Sequence, residues 1–108
     1  MIKNIQPYID ELIDIIEHKL DKYINLSVIR YDIEHMAEPE KMSDYLIFTF
    51  NIGFVTQFHK VMIKIRIDSD LDLIFEYRDM VEEYTDTILK RAIDDLMKEL
   101  KLFIFYKR

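Results

Sequence analysis

Three histidines are the natural starting point for chemistry in this chain: His18, His35 and His59. His18 follows Glu17 and has Asp14 one turn before it on a predicted helix, so an imidazole and a carboxylate share one face. A competent metal site needs three or four converging ligands, and this pair supplies two. His35 sits beside Glu34 at the end of a predicted strand, and His59 falls in an expected turn between two strands. No spacing joins the three, and a solvated helix face accounts for His18 without a metal. Nucleophilic catalysis has little to draw on. With no cysteine there is no thiolate, and Ser27, Ser43 and Ser69 stand at predicted turns or strand edges, outside any nucleophile elbow. The single glycine excludes a glycine-rich phosphate loop. Carboxylates are abundant, but paired acids acquire catalytic meaning only through burial and shifted pKa values, and these fall on exposed faces. The expectation is therefore a protein that is not an enzyme, with no cofactor and no metal.

Length and composition bound what can carry function instead. A chain of 108 residues fits one domain. Half the residues are hydrophobic and 33% are charged, which excludes disordered and fibrous classes. No apolar run reaches the roughly 18–20 residues of a membrane span, and no signal peptide is read at the N-terminus, so a soluble, cytoplasmic protein is expected. The absence of cysteine removes a disulfide framework. A net charge of −6 argues against general nucleic-acid binding. Eighteen Ile against two Ala, and ten Lys against five Arg, match AT-rich codon usage, as in an AT-rich bacterium or a phage of such a host.

Hydrophobic periodicity then defines the elements that position these side chains. Ile9, Leu12, Ile13, Ile16, Leu20, Tyr23 and Ile24 predict a helix over about 6–25, with Pro7 tolerated in its first turn. Three alternating runs follow. Ile29, Tyr31 and Ile33 form one apolar face, and Leu46, Phe48, Phe50, Ile52 and Phe54 a second. Val61, Ile63, Ile65 and Ile67 make a third. Residues 37–44 read as a connecting loop around Pro39. Residues 71–78 alternate at seven of eight positions and are read as a strand after an Asp68-Ser69-Asp70 turn, although Leu73, Ile74, Tyr77, Met80, Val81 and Tyr84 also fit a helical stripe. A last helix follows from Val81, with Asp79, Glu82, Glu83 and Asp86 at its head and Lys90, Arg91, Lys98 and Lys101 further on, a polarity that complements the helix dipole. Leu102-Phe103-Ile104-Phe105-Tyr106 is apolar on both faces and reads as a short final strand or a docking tail.

Each strand has one apolar face and each helix one apolar stripe, so packing them together buries both. The expected fold is a two-layer α+β sandwich, with a 3–4-stranded antiparallel sheet and both helices on one side. Asp32, Glu34, Lys64, Arg66, Asp72 and Glu76 are expected on the opposite sheet face. The order helix, antiparallel strands, helix, final strand resembles that of small tail-terminator and head–tail joining proteins of phages, a likeness of topology carried by no diagnostic residue.

Two surface features remain as candidate interfaces. The first is acidic: Asp10, Asp14, Glu17 and Asp21 follow one helical stripe, and Glu82, Glu83 and Asp86 cluster at the head of the second helix. Such a surface is suited to a protein partner with a basic face. The second is aromatic: Phe54, Phe58, Phe103, Phe105 and Tyr106 are hard to bury together in a small domain, and exposed aromatics commonly mark an interface or an oligomer contact. Together these point to a non-enzymatic protein that binds another protein. It would be an inhibitor, anti-defence or immunity-type factor, or alternatively a structural subunit of a phage particle.

Overall fold

The computed structural model describes residues 5–21, 25–37, 39, 42–54, 57–67, 73–80 and 87–107. Along the chain these form α1 (Gln6–Leu20), β1 (Asn25–Leu26), β2 (Arg30–Ala37), β3 (Met42–Phe54), β4 (Gln57–Ile67), β5 (Leu73–Met80) and α2 (Thr87–Lys107). All pairings are antiparallel, and the expected α+β arrangement is the one found. β3 lies between the broken edge β1–β2 and β4, with β5 beyond β4.

The alternation read from sequence sets the layers. Leu46, Phe48, Phe50 and Ile52 of β3 share a face with Val61, Ile63, Ile65 and Ile67 of β4, in the pairs Leu46↔Ile65, Phe48↔Ile63 and Phe50↔Val61. Against that face pack Ile9, Leu12, Ile16 and Leu20 of α1 and Ile93, Leu96, Met97, Leu100 and Ile104 of α2, in one cluster. Ile5, just ahead of α1, is wholly buried in the same core, four residues before Ile9 and in line with the helix's apolar stripe. The two-face rule is not strict along β3. Ile47 points to the open side of the sheet yet is only 5% exposed, because β3 has neighbours on both edges.

Several boundaries differ from the sequence reading. α1 ends at Leu20, with Asp21 as its C-cap, and Asn25 belongs to β1, where it pairs with Gly53. Tyr23 and Ile24 lie outside the described residues. The loop expected over 37–44 is shorter, because Ala37 pairs with Met42 and the strands run to the foot of the turn. Likewise His59 is within β4, opposite Ile52, and not in a turn. Gly53, paired with both Asn25 and Phe58, has φ 152°, a region where a Cβ would clash.

Residues 73–80 are a strand, and the ambiguity resolves because β4 offers a complete pairing partner. The register slips between Lys64 and Ile65, which pair with Tyr77 and Phe75, so Glu76 is the extra residue of a bulge. Asp79 accordingly lies in β5, paired with Met62 of β4, and does not head the last helix. The helical start read at Val81, the Asp68-Ser69-Asp70 turn, Asp72 and the acids Glu82, Glu83 and Asp86 lie outside the described residues.

The largest correction is at the C-terminus. Residues 102–106 continue α2 without a break, and there is no final strand. Both faces of that segment are apolar, so alternation and helical periodicity were equally satisfied by sequence. Packing decides for the helix, because Ile104 drops into the core and Phe103 packs edge-on against Tyr8 at 6.4 Å. The topological likeness to phage joining proteins loses the strand on which it partly rested.

The two helices are tied at their surface by Lys19, whose ammonium lies 3.1 Å from Asp95 and 3.5 Å from Glu99 of α2. The hydrogen bond to Asp95 is the main reason the Lys19 pKa is raised, with the charges of Asp95 and Glu99 adding to it against partial desolvation. Because the folded state holds this proton more tightly than the unfolded chain does, the pair's contribution is fully present below the ordinary lysine range and is lost as pH rises through and beyond it. Exposed pairs of this kind are weak and screened by salt. Lys19→Gln is therefore expected to lower the melting temperature slightly at low salt and neutral pH. The difference from the parent should vanish in molar salt, and a difference that persisted there would point to packing of the lysine stem.

Candidate functional site

The acidic stripe is where the sequence placed it. Asp10, Asp14, Glu17 and Asp21 are all exposed on the side of α1 away from Ile9, Leu12 and Ile16. Asp10 accepts a hydrogen bond from Gln6 Nε2 at 3.3 Å, a contact within one helix that leaves the carboxylates facing solvent. The second acidic set, Glu82, Glu83 and Asp86, is outside the described residues.

At the end of α2 helical geometry sorts the aromatic run into two groups. Phe103 turns inward, half-buried against Tyr8, and belongs to the packing between the helices. Phe105 and Tyr106 turn outward and are 66% and 77% exposed, their rings meeting edge to face at 5.5 Å. Leu102, one turn earlier, joins them at 49% exposed. Within the segment Phe103 is thus the half-buried aromatic, and Leu102 stands exposed beside Phe105 and Tyr106. A helical reading of 102–106 would have found this, because residues three and four apart share a face. Nearby, the Lys101 ammonium lies 5.4 Å from the centre of the Phe75 ring, which anchors α2 to β5.

The histidines remain apart. His18 is exposed in the last turn of α1. His35, on the edge strand β2, places Nδ1 against Asp44 Oδ1, its directly opposed neighbour on β3. His59 is half-buried on β4 and faces Ile52, eight residues along β3 from Asp44, or roughly 26 Å at the rise of a strand. Among the described residues no three His, Asp or Glu side chains converge as metal ligands. Ser27 is occupied structurally. Its Oγ accepts the Asn51 N–H at 2.8 Å and donates to the Val28 carbonyl at 3.3 Å. Ser43 is buried in β3.

The outer edge of β2 is partly closed by its own sequence. The Ile33 N–H donates to Asp32 Oδ1 at 2.8 Å, so a backbone donor that could template a foreign strand is already engaged.

Fold and surface together define a two-layer α+β domain, its helices covering one sheet face and an apolar helix end left open. No described helix is long and apolar enough to cross a membrane. Comparison with protein-family models, curated proteins and solved structures finds no match to this chain.

Proposed function

We propose that this protein acts without catalysis, by binding another protein through the exposed end of α2. The observation that carries this reading is the pair of adjacent rings, Phe105 and Tyr106, left in solvent on a helix whose opposite face is fully packed. Aromatic side chains dominate interface energetics because they remove a large apolar area from water, and Tyr adds a polar tip for a hydrogen bond. Leu102 extends the same face. The acidic stripe Asp10, Asp14, Glu17 and Asp21 has a different role in this reading, which is to steer a partner with a basic surface toward the contact. Exposed charges alter the association rate and its salt dependence more than the final affinity.

Small size and net acidity fit an inhibitor, anti-defence or immunity-type factor of a phage or AT-rich bacterium, working in the cytoplasm of its host. Native mass spectrometry separates this from a virion subunit: a monomer or dimer fits the inhibitor, a hexamer or larger ring the particle component.

The binding surface itself is tested on the partner recovered by pull-down from a host lysate. Phe105→Ser combined with Tyr106→Ser should leave the circular dichroism spectrum unchanged and raise the dissociation rate by about 100-fold, in line with the loss of a hot-spot pair. Reversal of Asp14 and Glu17 to Lys should slow association and flatten its dependence on ionic strength. A double Ser variant that binds as the parent does would remove the helix end from the interface.

A further inference from the structure

The open face of the sheet carries a feature that the candidate interfaces do not use. Edge strand β1–β2 is interrupted at residues 27–29, where three residues span the distance that two, Phe50 and Asn51, span on β3. Ser27 holds this bulge in place, its N–H donating to the Asn51 carbonyl at 2.9 Å while its Oγ accepts from the Asn51 N–H. Bulges redirect side chains and open space beside a sheet. Here a hollow of about 290 Å³ lies next to the bulge, and Ser27, Arg30, Thr49, Asn51 and Lys60 supply every polar side chain of its wall.

The electrostatics of this hollow run against those of the molecule. Arg30 is opposite Thr49 on one side of β3 and Lys60 opposite Asn51 on the other, so two cations flank one short stretch of strand. No carboxylate lines the hollow, and among the described residues neither Arg30 nor Lys60 makes an ion pair. The nearest acid along β2, Asp32, accepts the Ile33 N–H at Oδ1 and lines the adjoining hollow rather than this one. Thr49 and Asn51 add a hydroxyl and a side-chain amide between the two cations. A second, larger hollow of about 440 Å³ adjoins the first, sharing Arg30 and Thr49; its wall holds Ile47, Met62 and Tyr31 together with Lys64 and the carboxylates Asp32 and Glu34.

We infer that this bulge-side hollow binds a phosphate monoester. Two fixed positive charges match the roughly −1.5 to −2 carried by such a group near neutral pH, and its three terminal oxygens can be met by four donors arriving from both sides of β3. The guanidinium of Arg30 supplies a planar fork for two of those oxygens, and Lys60 acts as a point charge. A carboxylate would leave one cation unbalanced. The adjoining hollow accommodates the organic remainder of the ester over Ile47 and Met62. The phosphate can belong to a free small molecule or to a phosphorylated side chain of a protein.

Titration of the ¹⁵N-labelled protein tests the assignment, with inorganic phosphate, phenyl phosphate, a capped phosphoserine peptide and acetate as separate arms. Phosphate and phenyl phosphate should shift the backbone amides of Ser27, Thr49 and Asn51 saturably, with dissociation constants in the millimolar range or tighter, and acetate should not. Phenyl phosphate should bind about tenfold tighter than inorganic phosphate, because its ring covers apolar surface in the adjoining hollow. Arg30→Gln and Lys60→Gln are surface changes and should each weaken binding about tenfold while the remaining spectrum stays as in the parent. A phosphoserine peptide that binds more tightly than phenyl phosphate assigns the site to a modified protein, and the reverse order to a free ester. Absence of saturable shifts at these amides, equal shifts with acetate, or unchanged affinity in both variants would overturn the assignment.

Discussion

Ile65→Asp is expected to remove a large part of the protein's stability. Ile65 is wholly buried in β4, between Leu46 of β3 and Phe75 of β5, in the core cluster to which both helices contribute. A carboxylate there loses its water among the apolar side chains of the described core cluster, none of which carries a positive charge. Substitutions that bury an unpaired charge are among the few that exceed about 4 kcal/mol, and a domain of this size has only about 5–15 kcal/mol in total. The melting temperature should fall by about 15–30 °C, since each kcal/mol corresponds to roughly 4–8 °C in a small domain. Ile65→Val, which removes one methyl group, should lower stability by only about 0.5–1.5 kcal/mol. If the Asp variant melted within a degree or two of the parent, the pairing of Leu46, Ile65 and Phe75 would be wrong.

A chain ended after Lys101 should be almost as damaged, and this separates a structural helix end from a detachable tail. Truncation removes Ile104, which is 3% exposed in the core, and Phe103, which packs against Tyr8 near the start of α1. Loss of a buried Ile side chain alone reduces stability by about 2–5 kcal/mol through lost transfer energy and the cavity left behind. The missing Phe103 also leaves Tyr8 without its edge-to-face partner. The urea midpoint should therefore drop well below that of the parent. By contrast, Phe105→Ala and Tyr106→Ala change side chains that stand in solvent and should each lie within about 0.5 kcal/mol of it. A truncated chain with the parent's midpoint would return residues 102–106 to the status of an appendage. The contrast also bears on function, because loss of binding after truncation would report unfolding as much as loss of contact. Only the point substitutions isolate the interface.

The candidate surfaces are partly legible in the amino-acid sequence. The exposure of Asp10, Asp14, Glu17 and Asp21 follows from a helical stripe opposite Ile9, Leu12 and Ile16, and needs no tertiary information. The cationic hollow is not legible there as a unit. Arg30, Thr49, Asn51 and Lys60 are spread over three strands, and only the register of β2, β3 and β4 brings them side by side. Arg30 and Lys60 are each visible as polar positions in an alternating run, but alternation says which face a residue takes and nothing of its neighbour across the ladder.

What sequence by itself determined was the periodic part of the protein: two amphipathic helices, alternating strands, and the layering that follows from one apolar face on each. These are local properties, because the spacing of apolar residues and the geometry of the backbone are both contained in a short window. Tertiary structure decided the rest. It assigned residues 73–80 to a strand because β4 offered a complete ladder, and it kept 102–106 helical because Ile104 and Phe103 had a core and Tyr8 to meet. It buried Ile47 on the open face because β3 is flanked on both edges. Where a segment is apolar on all sides, both periods fit equally well, and the choice passes to whichever packing partner the rest of the chain supplies.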